Sequence, residues 1–154
     1  MSSLKLEIQR IAEASEGIPS DRLLTVWAEA ALAKTGEEVE MVIRIVDEPE
    51  SRQLNRDYRG KDKPTNVLSF PFEAPPDVPL SLLGDLVICA PVVSKEAGQQ
   101  NKTLEAHWAH MVVHGILHLQ GYDHQDDQQA QRMEDKERQI LQALDFSDPY
   151  TVEK

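Results

Sequence analysis

A single cysteine, Cys89, excludes an internal disulfide, so this chain cannot be stapled in the manner of a small secreted domain. It lies in an apolar stretch and reads as a buried core thiol. No apolar run reaches the length of a membrane span, and MSSLKLEIQ lacks the basic and apolar segments of a signal peptide. A cytoplasmic protein with no membrane partner is therefore expected. Linkers and internal repeats are missing as well, and 154 residues suit one domain over 1–154, large enough to bury a core. Positive charge is scarce. The net charge of -11, taken alone, argues against a nucleic-acid partner.

The distribution of charge says more than its sum. Between Arg52 and Lys63 stand Arg52, Arg56, Arg59, Lys61 and Lys63 against Asp57 and Asp62, while acid concentrates from Asp126 to Asp148. A charge run is usually only a solvated face, so the basic segment gains meaning from what accompanies it.

What accompanies it is histidine, confined to one place: His107, His110, His114, His118 and His124. In HGILHLQGYDH, His114 and His118 fall one helical turn apart, so both imidazoles can reach one ion. Gly121 suits the left-handed residue that ends a helix, which lets His124 approach the same ion from outside it. Three neutral imidazoles with an open fourth position describe a catalytic zinc site, one ion per chain, because structural sites usually close with four protein ligands. Nickel or copper can also occupy three imidazoles, so zinc follows from availability and geometry. His107 and His110 continue the helical stripe. The set His110, His114 and His118 spans two turns of one straight helix, too far to converge on an ion at about 2 Å.

The spacing coincides with the metzincin protease signature except that Gly115 stands where those proteases carry a glutamate. That glutamate deprotonates the water of the protease, and glycine has no group to do so. The cradle is zincin-like and the reaction is expected to be another metal-dependent hydrolysis.

Along the chain, Leu4, Leu6 and Ile8 alternate as a first strand, and Pro19 and Ser20 open a helix whose apolar stripe ends near Gly36. Val39–Val46 is a second strand. Pro49 opens a short helix that Gly60 closes. Val67–Phe72 and Leu82–Ala90 are two further strands joined by the loop EAPPDVPLS. Pro91 starts another helix, followed by the histidine helix from Thr103 to Leu119 and an amphipathic helix over about Asp127–Leu144, with DPYTVEK (148–154) as a loose tail. Strands interleaved early with helices, then helices only, predict an α+β domain with a mixed four-stranded sheet.

Three segments, NRDYRGKDKPTNVLSFPF from Asn55, LLGDLVICA from Leu82 and AHWAHMVVHGILHLQGYDH from Ala106, resemble the bacterial endoribonuclease YbeY family of ribosomal RNA maturation factors. The likeness runs from about Val42 to the tail. It implies a single-strand-specific endoribonuclease acting in maturation of small-subunit (16S) ribosomal RNA, notably its 3′ end, and in ribosome quality control. Its partners would be precursor ribosomal RNA, the small ribosomal subunit and proteins not identified by the sequence. The family's zinc ligands fall on His114, His118 and His124, and its functionally important arginine on Arg59.

For such a reaction, a three-histidine zinc is a Lewis acid that can lower the pKa of a bound water toward ~7. Attack by that water and attack by the ribose 2′-hydroxyl both stand open. Arg59 and His114 are the catalytic candidates, Arg59 holding a phosphate through its planar fork of donors or, on the blander reading, serving only as a surface arginine at a helix end. Lys61 and Lys63 would bind backbone phosphates. Thr65, Asn66 and Ser69 could bond RNA, although Thr-Asn after Pro64 is also ordinary turn chemistry. Asp85 and Asp123 each either orient a ligand histidine or cap a turn. Tyr58, Phe70 and Phe72 either stack bases or, for the two phenylalanines, pack a core. The competing functions are a non-catalytic ribosome assembly factor with a structural metal and, disfavoured by Gly115, a metalloprotease.

Overall fold

The computed structural model describes residues 3–11, 17–32, 38–72, 82–122, 125–146 and 149. Strands β1 (Ser3–Arg10), β2 (Glu38–Val46), β3 (Val67–Pro71) and β4 (Leu82–Cys89) form one sheet in the order β1-β2-β4-β3. β1 runs parallel to β2 and β2 parallel to β4, whereas β3 is antiparallel to β4 and stands at the edge. The expected mixed four-stranded α+β domain is thus the architecture observed. The proline-rich loop, Gly36 and the tail, Pro149 apart, lie outside the described residues; the first helix stops at Ala31, short of Gly36, because Leu32 turns to extended backbone.

Helices α1 (Asp21–Ala31), α2 (Glu48–Arg59), α3 (Ala90–Gln99), α4 (Leu104–Leu119) and α5 (Asp127–Ala143) complete the fold. Their starts are written in the sequence as caps. The Ser20, Thr103 and Asp126 side chains accept hydrogen bonds from the backbone of Leu23, Ala106 and Gln129, and Pro49 occupies the first turn of α2.

α4 is the axis of the molecule. Trp108, Ala109, Val112, Val113, Gly115, Ile116 and Leu117 are buried on several sides of it, the pattern of a helix enclosed by neighbours rather than laid on a surface. α4 packs against α1, α3, α5 and the strands β3 and β4. On β2, Met41, Ile43 and Ile45 point into this core at the two-residue period of a strand, and Val42 and Arg44 point away. The opposite face of the sheet carries a smaller cluster, Val46, Leu68, Val87 and Cys89, with Leu54 of α2 and Phe70 packed on it. Burial pushes the Cys89 thiol up, in keeping with an inert core cysteine.

Gly115 allows the closest approach of α4 to the sheet. A β-carbon there would lie 2.4 Å from Cδ2 of Leu86 and 3.2 Å from Cγ2 of Val67. The position that carries a base in the zincin proteases therefore faces the sheet in this chain. A glutamate at 115 would meet strands β3 and β4, not an open metal position as its place in the motif suggests.

Candidate metal centre

His114 and His118 lie on one side of α4, their ring centroids 4.7 Å apart and their planes at 80°. Both are half-buried and both line a cleft of about 700 Å³. At the end of α4 the chain turns at Gly121, φ 101°, a left-handed conformation that costs glycine little. Gly121 N donates to His118 O and Tyr122 N donates to Leu117 O, each at 3.0 Å, so the chain leaves the helix folding back beside the histidines. His124 and Asp123 come next and lie outside the described residues.

The carboxylate that meets these histidines comes from α5. Glu137 is fully buried, its Oε1 accepts a short hydrogen bond from His114 Nδ1, and its Oε2 lies 3.5 Å from His110 Nε2. Burial pushes the Glu137 carboxyl up, but hydrogen bonds from His110 and His114 and their charges outweigh it and bring the group down to about 2. Sequence reasoning passed over Glu137, although a signal was there. It sits between Met133 and Ile140 and Leu141 in the apolar stripe of an otherwise amphipathic helix, where a charge has no business without a partner.

Of the remaining histidines of the stripe, His110 shares Glu137 with His114, and His107 is held elsewhere. His107 Nε2 donates to Glu96 Oε1 at 3.0 Å, and burial lowers its pKa while Glu96 acts in the other direction. The ligand atoms of His110, His114 and Glu137 lie within 4.8 Å of one another and could themselves hold an ion. An ion there would be walled off, since Glu137 is inaccessible and His110 nearly so. The open pair, His114 and His118, is the one a substrate can reach.

Donor chemistry and position fit a metal ion at the open pair. Two imidazoles stand on one face of a helix, one ring is hydrogen-bonded to a buried carboxylate, and both face a solvent-connected cleft.

Around them, Arg59 ends α2 at the cleft rim, and Tyr58 stands edge-on to Phe70 at 5.0 Å. Arg52 pairs with Asp62 and Arg56 with Asp57, whereas Arg59, Lys61 and Lys63 are exposed and have no carboxylate partner among the described residues. Lys61 and Lys63 are not in the cleft lining. Their backbone braces the turn after α2, where Asn55 Nδ2 donates to Lys63 O at 2.8 Å.

Thr65 also acts through its backbone, which exchanges hydrogen bonds with the buried Ser51 hydroxyl. Asn66 lines the cleft with its amide engaged: Oδ1 accepts from Val67 N at 2.6 Å and Nδ2 donates to Glu96 at 3.0 Å. Ser69 lines the cleft and donates to Gly115 O at 3.1 Å, tying β3 to α4 beside His114. Asp85 is exposed and lines a groove with Val42, Arg44 and Glu50, apart from the histidine cleft. Phe70 packs on the smaller core cluster and Phe72 is exposed.

Comparison with known proteins gives two findings. The family model for Endoribonuclease YbeY matches residues 11–145. The solution structure of a Thermotoga maritima protein, 27% identical to this chain, superposes with a TM-score of 0.58 and covers 96% of this chain and 99% of its own.

Proposed function

The chain belongs to the Endoribonuclease YbeY family, and from that premise we propose that it is a zinc-dependent endoribonuclease cutting single-stranded RNA in the cleft between α4 and the end of α2. The observation that carries this reading is the pairing, in one cleft, of two metal-competent imidazoles with an arginine that no carboxylate among the described residues engages. His114 and His118 would hold the ion, with His124 as the third ligand. When bound, zinc supplies Lewis acidity toward a phosphoryl oxygen. Arg59 binds a neighbouring phosphate oxygen through its fork of donors and steadies charge as it develops there. Lys61 and Lys63 add positive potential beside the rim and attract the RNA backbone to an otherwise acidic protein. Ser69 ties β3 to α4 and Asn66 ties the start of β3 to Glu96 of α3, and together they fix the wall of the cleft.

No carboxylate among the described residues lines the cleft, and position 115 faces the sheet, both of which disfavour peptide hydrolysis. The physiological substrate we assign is precursor 16S ribosomal RNA near its 3′ end, with a role in ribosome quality control in the cytoplasm. Family membership supports that assignment, and no helix among the described residues is long and apolar enough to cross a membrane.

The test is to incubate zinc-analysed protein and its His118→Ala variant with single-stranded and duplex RNA. Cleavage of single strands alone, lost in the folded variant, is expected. A protein that binds zinc and small ribosomal subunits yet cuts no RNA would be an assembly factor with a structural metal.

A further inference from the structure

We propose that Glu137 is the positioning residue of the metal centre: its buried carboxylate accepts a hydrogen bond from His114 Nδ1, which keeps the proton on that nitrogen and leaves the Nε2 lone pair for the ion. The inference rests on the reading that His114 and His118 hold that ion, and it assigns a task to a side chain on a different helix.

A carboxylate enclosed in an apolar stripe is costly unless its oxygens are satisfied. Glu137 is enclosed, and both its oxygens face imidazoles: Oε1 meets His114 Nδ1, and Oε2 lies 3.5 Å from His110 Nε2. An ionised carboxylate can only accept hydrogen bonds, so the facing Nδ1 must carry hydrogen. In a neutral imidazole the other nitrogen then bears the lone pair, and for His114 that nitrogen is Nε2. The opposite tautomer would set two lone pairs against each other at the closest contact in the site. Held from both ends, the carboxylate cannot rotate away, and its negative charge makes the His114 ring a better donor to a cation. His110 thus steadies the carboxylate and is not needed as a ligand.

The experiment uses the full chain and its Glu137→Gln, His110→Gln and His118→Ala variants. Circular dichroism follows the fold, and zinc affinity is read by competition with a chromophoric chelator. Long-range proton–nitrogen NMR on histidine-labelled, metal-free protein at pH 8 reads the tautomer of each ring. We expect His114 to carry its proton on Nδ1 in the parent protein. Glu137→Gln should fold, bind zinc about 10–100-fold more weakly, and let His114 populate the other tautomer. His110→Gln, which keeps a donor for Oε2, should lose less zinc affinity than Glu137→Gln, and His118→Ala should lose it.

A parent protein with the His114 proton on Nε2 overturns the inference even if Glu137→Gln fails to fold. So does a folded Glu137→Gln that binds zinc as the parent does while His118→Ala does not, and that result spares the metal site itself. Zinc binding that survives His118→Ala but not His110→Gln would place the ion in the buried cluster and remove both readings.

Discussion

Replacing Gly115 with alanine asks one methyl group to enter the plane where α4 meets the sheet. The added carbon would lie 2.4 Å from Cδ2 of Leu86, 3.1 Å from its Cδ1 and 3.2 Å from Cγ2 of Val67. Leu86 is wholly buried and Val67 nearly so, and neither can swing into solvent. Overpacking of this kind costs roughly 1–3 kcal/mol. Alanine's better helix propensity offsets about 0.8–1.0 kcal/mol of that. A net loss of about 1 kcal/mol follows, which lowers Tm by roughly 2–4 °C in a domain of this size.

The collision can be separated from any other effect with Leu86. Leu86→Ala alone should destabilise by about 2–5 kcal/mol, because it leaves a cavity. It also removes the two nearest atoms that the new methyl strikes, leaving only Cγ2 of Val67, so the double variant should be more stable than the sum of the single losses implies, by about 1–2 kcal/mol, a coupling usual for touching residues. Urea denaturation of the four metal-free proteins measures all terms. A Gly115→Ala protein at least as stable as the parent, or a double variant equal to the plain sum, would refute the packing argument.

Three other outcomes are expected. Arg59→Glu should change stability by less than about 0.5 kcal/mol, as exposed sites do, yet lower single-stranded RNA cleavage by about a hundredfold or more; near-parent cleavage by folded, zinc-loaded variant would take Arg59 out of the site. Elemental analysis should find zinc sharply reduced in His124→Ala and unchanged in His107→Gln, whose parent ring is already held by Glu96; the reverse pattern would break the ligand assignment. Burial holds the His107 pKa below its ordinary 6.5 in the folded state despite Glu96. The unfolded chain therefore takes up this proton first, and stability contributed by neutral His107 falls as pH drops through 6.5. Metal-free His107→Gln should show a shallower loss of urea midpoint from pH 7.5 to 5.5, and parallel curves would exclude His107 as a source.

The elements were legible in the sequence because their signals are local. Caps at Ser20, Thr103 and Asp126, the alternation of Met41, Ile43 and Ile45, and the turn at Gly121 each depend on residues a few positions apart. The pairing of histidines one turn apart was legible for the same reason. Strand order was not: β2 lies beside β4 rather than β3, and only tertiary packing decides that. Glu137 escaped because its partners sit on another helix, and a charge in an apolar stripe shows that it needs a partner without saying which. Asp85 could have been placed with more care. It adjoins Leu86, whose side chain meets Gly115, and neighbours on a strand face opposite ways, so Asp85 was bound to turn away from α4. Asn66 and Ser69 line the cleft as expected of contact residues, yet their polar atoms are engaged with Glu96, Val67 and Gly115, contacts that a linear reading of turn chemistry cannot reveal.

The place of β3 at the sheet's edge has its own consequence for how the cleft can be probed. Among the described residues its ladder partner is β4 alone, so on alternate residues its main-chain amides and carbonyls point outward, along the same strand that walls the histidine cleft. Those groups remain whatever side chain the strand carries. An alanine scan from Val67 to Phe70 would thus leave a row of hydrogen-bonding positions untouched. Proline replacement, which removes an amide hydrogen at a chosen residue, is the substitution that reaches them, and Pro71 already sets the limit of that row at the strand's end.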